Sequence, residues 1–307
     1  MDEREVASFL RDRFAPEPVE QLERLAGGEW SHAYGFRAGG RPLVARFGRW
    51  REDYEADRRA MALDGPDLPV PRVLEIGDAF GGAYALSERR DGVFLEHLDA
   101  AGWRRARPAV LRALDALRAA DGPTVFGPPS IPWRQFLLDS LVDQPGGRVS
   151  GWRARLAADP ALDAQFRLGE DHLAGLLPSL PERQDVLHLD LLHGNVLVTP
   201  DGTRLEAVFD WGCTMLGDFA YELAWFSFWA PWHRGLDAVG LVDAARTHVA
   251  SQAGGAELVA GFDVRRNAYE VHIGLTHLAW YAFTGDDEGL GAVAARLARP
   301  LAAAGRG

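Results

Sequence analysis

The sequence predicts an α+β fold of two lobes, a small β-rich lobe first and a large helical lobe after it. Three observations lead there. Short runs of β-forming residues separated by glycine turns fill the chain up to Asp91-Gly92. Apolar residues recur at helical spacing through most of the chain beyond that point. Within the helical part lies a short β-rich island between Val186 and Phe209. At 307 residues the chain can build two such bodies, with a boundary expected between an N-terminal lobe, 1–91, and a C-terminal lobe, 92–307.

Each element is read from its local pattern. Val6, Phe9, Leu10 and Phe14 share helical spacing, so a helix is expected over 4–14. Strands are expected over 23–25, 33–36 and 43–47, with Gly27-Gly28 and Gly39-Gly40 as turns. A helix from Tyr54 to Leu63 stops at Gly65-Pro66, and strands over 72–76 and 83–87 are joined by Gly81-Gly82. Further on, helices are expected over 104–120, 133–142, 161–177, 219–229, 241–252 and 267–283. The island holds strands over 186–189, 195–199 and 205–209, with Pro200-Asp201-Gly202 as a turn.

Composition narrows the function. With 47% hydrophobic and 25% charged residues the chain is an ordinary soluble globular protein. Its 33 basic residues against 44 acidic ones leave a net charge of −11. That excess repels phosphate backbones, so no nucleic-acid partner is expected, and a cationic small molecule is favoured. A single cysteine, Cys213, rules out an intramolecular disulfide or a cysteine-cluster metal site and fits a reducing compartment. The charged start Met1–Glu5 is no signal peptide, and no stretch approaches the roughly 20 apolar residues a membrane span needs. A cytoplasmic monomer without a membrane partner is expected. Every one of the 33 basic residues is arginine; there is no lysine.

The island carries the chemistry. Val186-Leu-His-Leu-Asp-Leu-Leu-His-Gly-Asn-Val-Leu-Val198 is succeeded by Ala207-Val-Phe-Asp-Trp-Gly212. Phosphoryl transfer needs a carboxylate at the attacking hydroxyl and oxygen ligands for Mg²⁺ on the nucleotide phosphates. Asp190, Asn195 five positions on, and Asp210 at the end of a neighbouring strand fit those demands. Any one of these aspartates alone would more often cap a turn; the ordered set points to a kinase-like centre. A β-rich lobe before a helical lobe with such an island is a protein-kinase-like order.

On these residues the chain resembles the aminoglycoside phosphotransferase family, which shares the protein-kinase fold. The likeness extends over most of the chain, through Gly28-Glu-Trp-Ser-His-Ala-Tyr34, Leu68-Pro-Val-Pro-Arg-Val-Leu-Glu-Ile-Gly77, Asp91-Gly-Val93, Phe126-Gly-Pro128, Leu216-Gly-Asp-Phe-Ala-Tyr-Glu222, Phe228-Trp-Ala-Pro-Trp232 and Ile273-Gly-Leu275. The resemblance implies that Asp190 is the catalytic base, that Asn195 and Asp210 hold Mg²⁺, and that His188 supports the loop. Within the family, the chain resembles the branch acting on hygromycin B. Leu189 departs from the pattern, since most relatives carry glycine beside the base.

Kinase-like folds place a lysine on the third strand, and here Leu43-Val-Ala-Arg46 occupies that place. Arg46 is the expected holder of the α/β-phosphates, because a guanidinium is always charged and binds oxygens in a fork. Its acidic partner is Asp57 or Glu55 on the next helix. Gly27-Gly28-Glu29-Trp30-Ser31 would lie over the nucleotide, with Ser31 near the phosphates. Ser87, Glu88, Arg89 and Arg90 match the hinge whose backbone would meet the purine. Backbone contacts alone leave both ATP and GTP open.

On the acceptor side, Glu222, Trp225, Phe226 and Trp229 share one face of the 219–229 helix. Trp225 and Phe226 read as core. Glu222 is expected to contact the substrate, because a buried lone carboxylate is costly, and Trp229 and Trp232 to wall a sugar ring. Asp218 is expected to bond the catalytic-loop backbone. His272, Thr276, His277 and Trp280 could line the same site, His277 being the one retained as a contact. Asp286-Asp287-Glu288 reads as a solvated turn. The function expected is transfer of the ATP γ-phosphoryl group to an aminoglycoside hydroxyl. The alternatives are a related kinase acting on a sugar, amino alcohol or other antibiotic, or a nucleotide-binding pseudokinase.

Overall fold

Asp2 starts the first helix by accepting the Glu5 N–H at 2.8 Å, while the Glu5 carboxylate accepts the Asp2 N–H at 2.6 Å, a reciprocal capping box. The computed structural model describes residues 2–25, 28 and 30–304, so Gly27 and Glu29 of the expected nucleotide loop lie outside the described residues. From this cap runs α1 (Glu3–Phe14), then β1 (Val19–Arg24), β2 (Ser31–Ala38), β3 (Arg41–Gly48), α2 (Arg51–Ala60), β4 (Val73–Ala79) and β5 (Gly82–Glu88). The five strands form one antiparallel sheet in the order β1-β2-β3-β5-β4. Successive side chains point to opposite faces of the sheet, and apolar residues pack on both. Val6 and Leu10 of α1 pack on Tyr34, Phe36, Phe47, Tyr84 and Leu86 on one face. Tyr54 of α2 packs on Ala83 and Ala85 on the other. Each fully buried side chain of this kind contributes about 1.5–3 kcal/mol.

The chain continues through β6 (Val93–Phe94), α3 (Ala100–Ala119), α4 (Gly122–Phe126), α5 (Trp133–Asp139), α6 (Trp152–Ala157), α7 (Pro160–Leu176) and β7 (Asp185–Leu187). Then come β8 (Val196–Val198), β9 (Leu205–Val208), β10 (Met215–Gly217), α8 (Ala220–Trp229), α9 (Arg234–Asp237), α10 (Leu241–Ala250), α11 (Gly255–Leu258), α12 (Phe262–Thr284) and α13 (Asp287–Ala304). Among the described residues no helix is long and apolar enough to cross a membrane.

Two compact units emerge, Met1–Gly127 with Asp190–Thr214, and Pro128–Leu189 with Met215–Gly307. This partition differs from the division at residues 91 and 92. Within the first unit β6 pairs with β8, Phe126 of α4 stacks on Trp211 at 6.3 Å, and the Trp211 N–H bonds Asp57 of α2. Those contacts tie 92–127 and 190–214 to the sheet-bearing part. The island is divided too. β8 joins β6 and β9 in a three-stranded sheet of the first unit, while β7 pairs with β10 in the second.

In the second unit α12 packs against α8, α13 and α7. Every residue of α8 except Ser227 is buried, so that helix has no solvent face. Asp218, fully buried, accepts from Arg265 Nε at 2.7 Å, from the Tyr269 hydroxyl at 2.7 Å and from the Ala220 N–H at 3.2 Å. Its place is thus in the helical core rather than at the catalytic-loop backbone. The acidic run is a helix start instead of a turn: Asp286 accepts the Gly289 N–H at 3.0 Å, and Asp287 and Glu288 occupy the first turn of α13, where negative charge is favoured.

Candidate active site

The loop between β7 and β8 presents Asp190. Asn195 Nδ2 donates to Asp190 Oδ2 at 2.8 Å and to the Asp190 carbonyl at 3.0 Å. His193 Nδ1 lies 2.7 Å from Asp190 Oδ1. Leu189 adopts φ +66°, the left-handed conformation for which relatives use glycine, and His193 and Asp210 adopt φ +56° and +65°. Among the described residues, three of the five non-glycine residues with positive φ therefore lie in the predicted catalytic segments, where such conformations hold functional groups in place. His188, just before the loop, is fully buried. It can act on the loop only from behind.

Asp210 stands before the 3₁₀ turn Trp211–Cys213, its side chain 44% exposed and its Oδ1 3.5 Å from Arg46 of β3. Arg46 also pairs with Asp57, whose Oδ1 accepts the Trp211 N–H at 2.8 Å. The partner left open in the sequence is thus Asp57; Glu55 faces Arg51 and Arg58. Arg46, Asp57 and Asp210 form one charged chain. The guanidinium lies 5.2 Å from the Tyr54 ring centre, and burial, with a smaller contribution from Asp210, pushes that phenol up to about 12 against the lowering effect of Arg46.

This donor set suits Mg²⁺. Asn195 spends its amide N–H on Asp190, leaving its carbonyl oxygen as a donor, and Asp210 adds a half-exposed carboxylate. Among the described residues no cluster of three or more His, Cys, Asp or Glu side chains could hold a metal. Few protein oxygens plus nucleotide phosphates is how Mg²⁺ is commonly held.

Ser31 begins β2 and pairs with Gly48 of β3. Ser87 pairs with Val44 and Val73 across the sheet. The Glu88 N–H bonds the Arg72 carbonyl at 3.0 Å and the Arg89 N–H bonds the Pro42 carbonyl at 3.2 Å. The Arg89 guanidinium holds Glu23 at 2.6 Å and Arg90 holds Glu88 at 3.1 Å.

The acceptor-side candidates belong to the second unit. Glu222 is 2% exposed, and its Oε1 accepts the Leu189 N–H at 2.7 Å. That bond holds the left-handed Leu189 next to Asp190. Trp229 is 4% exposed and Trp232 42% exposed, with ring centres 5.0 Å apart. The His277 ring lies 4.8 Å from Trp229, and its Nδ1 donates to the Ile273 carbonyl at 2.7 Å. Of these aromatics, Trp232 offers an open face.

His272 is a core residue rather than a lining one. It pairs with Ser140 Oγ at 2.8 Å and with the Tyr221 hydroxyl at 2.9 Å. Burial, aided by His277, lowers its pKa from 6.5 to about 3. The folded imidazole stays neutral while the unfolded one takes a proton below 6.5, so stability is full above pH 6.5 and falls as pH drops toward 3. That one group contributes a slope of about 1.4 kcal/mol per pH unit. Urea unfolding at about pH 7 and pH 4.5 is expected to show a smaller pH dependence for His272→Gln than for wild type. Equal pH dependence would mean that folded His272 protonates readily.

Sequence reasoning missed His193 and the Glu222–Leu189 bond. The signal for His193 was present: a polar residue three positions after Asp190 and directly before Gly194, in an otherwise apolar string.

An antiparallel sheet whose Arg46 pairs with Asp57 of the following helix, then an Asp–Asn loop and a second aspartate, define a kinase-like phosphotransferase fold. The crystal structure of the aminoglycoside phosphotransferase APH(4)-Ia superposes with a TM-score of 0.82 over 98% of both chains, at 28% identity. A ternary complex of a thermostable APH(4)-Ia mutant with AMP-PNP and hygromycin B matches with a TM-score of 0.80 over 98% of this chain and 99% of that one, at 26% identity. Hygromycin-B 4-O-kinase from Escherichia coli is 33% identical over 240 residues, covering 74% of this chain and 67% of that protein. The chain belongs to the phosphotransferase enzyme family, whose profile matches residues 21–258.

Proposed function

We propose that this chain transfers the γ-phosphoryl group of ATP to a hydroxyl of an aminoglycoside, with hygromycin B as the favoured acceptor. The carrying observation is the Asp190 carboxylate, fixed by Asn195 beside the Arg46–Asp57–Asp210 chain, in a protein similar to hygromycin-B 4-O-kinase. Asp190 takes the proton of the attacking hydroxyl. Arg46, oriented by Asp57, holds the nucleotide phosphates, with Ser31 nearby. Asn195 and Asp210 would hold Mg²⁺, which when bound neutralises phosphate charge.

The purine is met by the backbone of Ser87–Arg90. His188 and Glu222 brace the loop from the protein side. Trp232 offers a ring face to sugar C–H groups and ammonium groups, with Trp229 and His277 packed behind it. The net charge of −11 attracts a polycationic acceptor. Residues before 92 serve the nucleotide, and those after supply the catalytic loop and acceptor contacts. A cytoplasmic monomer fits the need for ATP and a single, exposed cysteine, Cys213.

The test is Mg²⁺-dependent ADP release from purified protein and ATP across a panel of aminoglycosides, sugars and amino alcohols. Stimulation by hygromycin B is expected. Stimulation confined to non-aminoglycosides, or none at all, would contradict the assignment.

A further inference from the structure

We propose that His193 is a positioning residue for the transfer, fixing the carboxylate of Asp190 by a hydrogen bond to Oδ1; this rests on Asp190 being the base. His193 Nδ1 and Asp190 Oδ1 are 2.7 Å apart. An ionised carboxylate can only accept, so the imidazole carries its proton on Nδ1. Asn195 meets the other oxygen, Oδ2, at 2.8 Å. His193 and Asn195 thus hold opposite oxygens of the carboxylate. Without the bond at Oδ1 the group would gain freedom to turn about its Cβ–Cγ bond. Proton abstraction demands a base atom within about 2.6–3.2 Å of the hydroxyl oxygen, so that freedom slows the step without weakening binding.

The backbone is shaped to deliver the imidazole. His193 takes φ +56° and Gly194 φ +85°, and histidine enters that region more readily than bulky apolar residues do. The loop folds back within three residues, bringing the ring to the carboxylate. Its side chain is 37% exposed and that of Asp190 27% exposed, so the pair stands at the surface of its own unit.

Three variants test this. Asn at 193 tolerates positive φ and offers an amide N–H near the position of Nδ1; Gly at 193 tolerates the backbone and offers nothing. With hygromycin B and ATP, His193→Gly is expected to lower kcat about ten- to a hundredfold, the effect of losing one charge-assisted hydrogen bond. Both KM values should stay within about twofold, and His193→Asn should recover kcat to within about threefold of wild type. Unchanged kcat in His193→Gly, or His193→Asn as slow as His193→Gly, overturns the proposal. So does a rise in aminoglycoside KM alone, which would make His193 an acceptor contact. A second readout does not depend on activity. Imidazole ¹⁵N–¹H spectra of the wild-type protein should show the Nδ1–H tautomer of His193, lost in Asp190→Ala; an Nε2–H tautomer in wild type refutes the contact. An active wild type, an inactive Asp190→Ala and an unaffected His193→Gly would sink this inference alone. A wild type inert toward every acceptor would sink the assigned function.

Discussion

Asp190→Ala is expected to lower turnover at least about a hundredfold, while the affinity for a non-hydrolysable ATP analogue should stay within about twofold. The reason is local. Asp190 touches Asn195 and His193 through its carboxylate, whereas the Arg46–Asp57–Asp210 chain, proposed to hold the phosphates, is built from other residues. Removing the carboxylate takes away the proton acceptor and leaves the nucleotide residues in place. Calorimetric titration with the analogue and steady-state kinetics separate the two quantities. Turnover within a few-fold of wild type would remove Asp190 from the role of base.

The second large effect falls on stability. Asp218→Ala leaves the guanidinium of Arg265, 4% exposed, without its carboxylate, and removes the acceptor of the Tyr269 hydroxyl. Breaking a buried ion pair by deleting one partner costs about 3–5 kcal/mol, against a total stability of about 5–15 kcal/mol for a typical domain. Urea unfolding should show a loss of that size. A loss below about 1 kcal/mol would mean that Arg265 finds other partners beyond the Leu258 and Ala260 carbonyls it already holds.

How much of the molecule was legible in the sequence depends on whether burial or spacing decided it. Arg46 could be singled out by its strand position, but spacing leaves Asp57 and Glu55 open as its partner, and only the folded pair names Asp57. Asp190, Asn195 and Asp210 are proposed together because phosphoryl transfer needs those types in that order. Glu222 and Asp218 have partners that no spacing carries. Glu222 found the N–H of Leu189 and Asp218 found Arg265, 47 residues away. Helical phase also failed on α8: with nearly every position buried, sharing a face says nothing of reaching substrate, and the exposed ring is Trp232, beyond the helix. The strands β6 and β10, of two and three residues, are too short for alternation to register. They nonetheless divide the island between two sheets. Leu189 was flagged by its departure from glycine, and its positive φ shows what that departure entails.

Phosphoryl transfer from ATP to the antibiotic is tested most directly on the γ-phosphate itself. With γ-labelled ATP, Mg²⁺ and hygromycin B, the wild-type protein should move the label onto the antibiotic, and Asp190→Ala should leave it on ATP. Label appearing as inorganic phosphate, or remaining on ATP with the wild-type protein, would contradict that transfer.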